Sequence, residues 1–102
     1  MAFTGNEDCE VSVSTASTLN KNFRDLYPAQ IKGIYFSQKT LRKVLDQTEC
    51  VGIRFYFGAD PDGMLTITFA GVKANEDDII GVVGDNGIKC PPHCGSKNTL
   101  NS

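Results

Sequence analysis

No run of about 18 apolar residues occurs in the 102-residue chain, which excludes a membrane-spanning helix. The N-terminus, "MAFTGNEDCEVSVSTAS", also lacks the basic segment followed by an apolar one that a secretory signal needs, and carries Glu7, Asp8 and Glu10 instead. Read from residue 1, the chain is expected in the cytoplasm; a signal removed upstream would give its four cysteines a different reading. Positive charge is not in surplus either. Lys and Arg total 10 against 12 for Asp and Glu, and the net charge of −2 attracts neither phosphate nor anionic lipid, so no nucleic acid and no membrane is expected as partner. Glycine-rich phosphate loops, a serine nucleophile elbow, catalytic carboxylates at a recognisable spacing, repeats and low-complexity tracts are all missing. The expectation is a protein without enzymatic activity and without a resident cofactor.

What is present is an ordinary globular composition, 40% apolar and 22% charged, enough to bury a core that offsets the entropy of ordering the chain. One domain over residues 11–95 is expected, with 1–10 as a mobile leader and 96–102 as a flexible tail. Ala16, Leu19, Phe23, Leu26 and Tyr27 form a one-sided stripe that Ser14 or Thr15 would cap and Pro28 would close, predicting a helix over 15–27. "IKGIYF" (31–36) reads as a short strand. Ser37 then caps a second amphipathic helix over 38–47, in which Leu41, Val44 and Leu45 share a face.

The strongest pattern is "VGIRFYFGADPDGMLTITFAGV". Val51, Ile53, Phe55 and Phe57 alternate with Gly52, Arg54, Tyr56 and Gly58, and Leu65, Ile67 and Phe69 alternate with Thr66, Thr68 and Ala70. With "ADPDG" as the turn, these are the arms of an antiparallel hairpin whose phenylalanine face needs a cover. "IIGVVGD" supplies a further strand and "NGIKC" leads into the tail. The expected fold class is α+β, a two-layer arrangement with two N-terminal amphipathic helices packed on a small antiparallel sheet of three to four strands.

On the other face of the hairpin, Arg54, Tyr56, Thr66 and Thr68 stand side by side. Such a face is commonly just solvated; as a site it would bind a small anion or a partner's backbone. The aromatic strand also resembles RNA-stacking strands, but the basic residues such binding needs are missing. "DPDG" has the look of a calcium loop, yet the twelfth position from Asp60 is Gly71 where a bidentate glutamate is required, so a turn explains it. "NEDD" (75–78) reads as an acidic turn.

"CPPHCG" (90–95) gathers two thiols, two prolines and the single histidine. Cys90, His93 and Cys94, with Cys50 or Cys9 as a fourth ligand, form a zinc candidate that lacks the second short cysteine pair of ribbons and fingers. A Cys90–Cys94 disulfide is the next option, kept in an oxidising compartment or used as a redox pair. A third is reduced thiols in a proline-stiffened strand end, with Cys50 as a small core residue.

In the order helix, helix, "CVGIRFYFGADPDG" and "CPPHCG", residues 12–95 resemble a family of small uncharacterised bacterial proteins. Its members share a helix-rich first half, a C-x-GIR-x-Y-x-G segment, a "VGV"-like strand near Gly71 and a terminal C-P-x-x-C motif. The spacing of Cys90 and Cys94 equals that of some members and is one residue wider than in others. The resemblance implies a soluble bacterial protein, assigns no activity, and points to Cys50, Arg54, Tyr56, Cys90 and Cys94. The resulting expectation is an interaction or structural domain that docks a protein partner or self-associates through its sheet. The alternative is a zinc-binding or thiol-redox protein using the CPPHC motif.

Overall fold

Each helix begins where a serine hydroxyl takes up an amide that the first turn leaves unpaired. Ser12 Oγ accepts from the Thr15 N–H at 3.0 Å and opens α1 (Val13–Leu26). Ser37 Oγ accepts from the Thr40 N–H at 3.2 Å and opens α2 (Gln38–Leu45). The second cap is the one expected. The first lies upstream of Ser14 and Thr15, because Ser12 has the extended backbone a cap requires and the residues after it are already helical.

The structure, a computed structural model, describes residues 2–101. Five strands accompany the helices: β1 (Gly33–Tyr35), β2 (Gly52–Ala59), β3 (Leu65–Val72), β4 (Asp78–Gly84) and β5 (Ile88–Cys90). They make two antiparallel sheets, one in the order β2-β3-β4 and a two-stranded one of β1 and β5. The α+β class is as expected. The sheet is split, because "NGIKC" pairs with "GIY" and not with the hairpin. No helix among the described residues is long and apolar enough to cross a membrane.

The chain divides into two compact units, where the sequence pattern gives one domain. The first comprises the residues up to Asp8 with Phe36–Gly87 and holds α2 and the three-stranded sheet. The expected leader contributes to it. Phe3 N–H donates to Ala74 O at 2.8 Å, and the Glu7 carboxylate accepts from the Thr4 and Gly5 amides at 2.8 and 3.0 Å. The backbone hydrogen bond from Thr4 leads the effects that hold the Glu7 carboxyl below its ordinary value.

In the β2–β3 hairpin, Asp60 organises the turn. Its N–H donates to Met64 O at 2.9 Å, while its Oδ1 accepts from the Asp62 and Met64 amides at 3.0 Å each. Gly63 takes the left-handed φ of 82° that "DPDG" leads one to expect. The core centres on Phe69, 1% exposed, with the Phe36 ring edge-on at 4.8 Å and the Phe55 ring at 5.4 Å. Val44 of α2 is fully buried. Gly71 lets α2 approach: a Cβ there would lie 2.7 Å from Cys50 Sγ and 3.3 Å from the Val44 carbonyl.

The expectation that two helices seal the whole phenylalanine face is corrected at two points. Only α2 belongs to the unit that contains this sheet; α1 falls in the second unit. The eight-residue α2 covers one end of the face, leaving Phe55 47% and Phe57 81% exposed.

The second unit, Cys9–Tyr35 with Ile88 onward, holds α1, β1 and β5. No residue of α1 is buried. The expected flexible tail is tied down here: Arg24 donates to Leu100 O at 2.9 Å and Lys32 to Asn101 O at 3.0 Å.

Candidate functional site

The β2–β3 register pairs Tyr56 with Thr68, Arg54 with Ala70 and Gly58 with Thr66. Arg54, Tyr56, Thr66 and Thr68 therefore share one sheet face, as alternation implies. The structure adds a residue that sequence reasoning left in an acidic turn. Asp78, the first residue of β4, accepts from Arg54 Nη1 at 2.7 Å on one carboxylate oxygen and from the Tyr56 hydroxyl on the other. Arg54 also donates to Glu76 O at 3.3 Å, and its guanidinium lies 6.0 Å from the centre of the Phe3 ring. The guanidinium is held above its ordinary value, first by side-chain hydrogen bonding with Tyr56 and next by attraction to Asp78, while desolvation opposes both. An arginine whose charge is met by a carboxylate in this way ties strand to strand and is a poor receptor for an incoming anion.

The two edges of this sheet differ. In β4 the pairing partner jumps from Ile79, opposite Gly71, to Val83, opposite Ala70, so Ile80, Gly81 and Val82 bulge out of the ladder. Gln47 holds the bulge: its Oε1 accepts from the Val82 N–H at 3.0 Å, and its Nε2 donates to the Val44 carbonyl at 2.9 Å. A bulged edge is a poor template for a further strand.

Strand β2 has no such interruption. Its register with β3 is constant from Gly52 to Ala59, it contains no proline or lysine, and no strand among the described residues pairs with its other side. The hydrogen bonding fixes which groups face that side. Asp60 N–H bonds Met64 O in step with the register, so even-numbered residues of β2 bond to β3. Ile53, Phe55 and Phe57 consequently direct their N–H and C=O groups to the open edge. The most exposed aromatic side chain of the unit, Phe57, stands on that same edge.

The cysteine candidates separate. Cys90 and Cys94 form a disulfide with Cα atoms 4.8 Å apart. Cys50 belongs to the first unit, where its thiol donates to Gly52 O at 3.2 Å beside Gly71, and Cys9 is exposed. His93 is fixed through its backbone, which donates to Lys89 O at 3.0 Å. Among the described residues no group of three or more His, Cys, Asp or Glu side chains is placed to hold a metal ion. Cys94 borders an open depression with Lys32, Gly95, Lys97 and Asn101.

The chain matches no family model, and no curated protein or solved structure is significantly similar to it.

Proposed function

We propose that the protein is a non-enzymatic interaction domain whose working surface is the open edge of β2, to which an extended segment of another protein chain adds as a further strand. The observation that supports this reading is the contrast between edges: β4 is broken by a bulge pinned by Gln47, whereas β2 presents eight regular residues and an 81% exposed phenylalanine. An unpaired edge offers main-chain donors and acceptors that give affinity to any extended chain, and the side chains beside it select which one. Behind that edge Arg54 and Tyr56 both bond Asp78, tying β2 to β4 across the polar face.

The test is a titration of the dilute chain with a synthetic peptide copying residues 51–60. The amide resonances of β2 are expected to shift, with slower hydrogen exchange at Ile53, Phe55 and Phe57. Shifts confined to α2, with exchange along β2 unchanged, would count against the edge as the docking surface.

A further inference from the structure

The net charge of −2 is unevenly shared between the two units. The first carries ten acidic side chains against five basic ones, whereas the second carries five basic ones against Glu10 and Asp25. Two of those five, Lys32 and Lys97, line the depression beside Cys94, and none of the described residues lining it is acidic. The disulfide thus borders a locally positive surface on a chain that is negative as a whole.

The polar tail builds the rim of this depression. Asn101 Oδ1 accepts from the Asn98 N–H at 2.8 Å, Asn101 Nδ2 donates to Ser96 O at 3.2 Å, and the Asn101 carbonyl accepts from Lys32 Nζ at 3.0 Å. These bonds fold 96–101 back on itself at the start of β1, with Lys97 inside the turn they close. An ammonium has three donors, so the bond to Asn101 leaves Lys32 able to hold an anion as well.

The two sulfurs are not equivalent. Cys90 is half-buried at the end of β5, where it pairs with Gly33 and its carbonyl accepts from the Lys32 N–H at 2.6 Å. Cys94 is exposed and lies outside the ladder. A thiolate reaches a disulfide sulfur from solvent, and exposed bridges are the exchangeable ones. Cys94 Sγ is therefore the sulfur open to attack, and the Cys90 sulfur is the one displaced.

We propose that the Cys90–Cys94 bridge is an exchange site for a low-molecular-weight thiol bearing carboxylates, which Lys32 and Lys97 hold beside Cys94. The thiolate of one molecule attacks Cys94 Sγ: a mixed disulfide forms, the Cys90–Cys94 bond breaks, and the Cys90 sulfur leaves as a thiolate that takes a proton from water. A second thiolate attacks the small-molecule sulfur of the mixed disulfide, so that Cys94 leaves as a thiolate and the small disulfide is released. Two thiols are oxidised by two electrons in all, and the bridge is reduced by two. The site belongs to the second unit and does not rest on the reading of β2.

The test follows bridge opening in the folded chain carrying Cys9→Ser, which removes the exposed free thiol. Glutathione, an anionic thiol, is compared with cysteamine, a cationic one, and acid quenching with mass mapping locates the adduct. The adduct is expected on Cys94. Lys97→Gln and Lys32→Gln are each expected to lower the ratio of the glutathione rate to the cysteamine rate by about fivefold, the worth of one charge about 4 Å away in water. Taking the ratio cancels the intrinsic reactivity of each thiol, and the exposed Lys97 can be changed without disturbing the fold. Lys43→Gln, in the first unit, is expected to leave the ratio unchanged. An adduct on Cys90, a ratio indifferent to Lys97→Gln, an equal fall with Lys43→Gln, or a bridge that glutathione opens only after unfolding would overturn the proposal.

Discussion

At the scale of single residues, Gly71 and Gly84 mark where the backbone and core press together. Phe69 is paired with Gly84, and a Cβ built on Gly84 would lie 2.1 to 2.4 Å from atoms of the Phe69 ring. Neither the ring, held by Phe36 and Phe55, nor the strand can move far. Gly84→Ala is therefore expected to lower stability by about 1–3 kcal/mol, the range for overpacking a filled core, measured by urea unfolding. A loss near zero would mean that Phe69 has room to swing away. The alternation in "FYF" and "TITF" makes Phe55, Phe57 and Phe69 legible as one face, but not which of them is covered. Asp78 was hidden for a related reason. Its place opposite Val72, beside Arg54, depends on the β3–β4 register, and no local pattern encodes that register across the "KANEDD" turn.

At the scale of elements, the strong local signals hold: the Ser37 cap, the hairpin with its Asp60 turn, and the strand "IIGVV". The failure is in assigning partners to short strands. Three-residue β1 and β5 carry too little pattern to reveal that they pair with each other, and their pairing creates the second sheet. The Cys90–Cys94 bridge sits at the end of β5, and the exposed α1 leaves this unit little buried apolar surface of its own. A bridge this short contributes about 2 kcal/mol by restricting the unfolded chain. Without reductant, thiol titration of the unfolded protein is expected to find Cys9 and Cys50 alone, and Cys90→Ser to melt the amides of β1 and β5 before those of β2 and β3. Four reactive thiols, or an unchanged melting order, would show that the bridge has no structural role here.

At the scale of the whole molecule, a net charge of −2 opposes association only weakly, so short-range features of the surface decide whether two copies meet. Composition and periodicity establish the α+β class and the absence of a spanning helix. They do not show that eight regular residues stand at an edge, since edge and centre strands share the same alternation until the sheet order is known. The open edge of β2 is thus the part of the site least readable from sequence. Phe57 offers the cleanest handle on it, being 81% exposed and therefore of little consequence to the fold of one chain.

Titration of the dilute unmodified chain and of Phe57→Lys with the peptide copying residues 51–60 tests the central claim that β2 is a docking edge. The expected result is a shift of the β2 amide resonances in the unmodified protein, with Phe57→Lys weakening binding by about tenfold or more. No change along β2, or binding indifferent to Phe57→Lys, would contradict it.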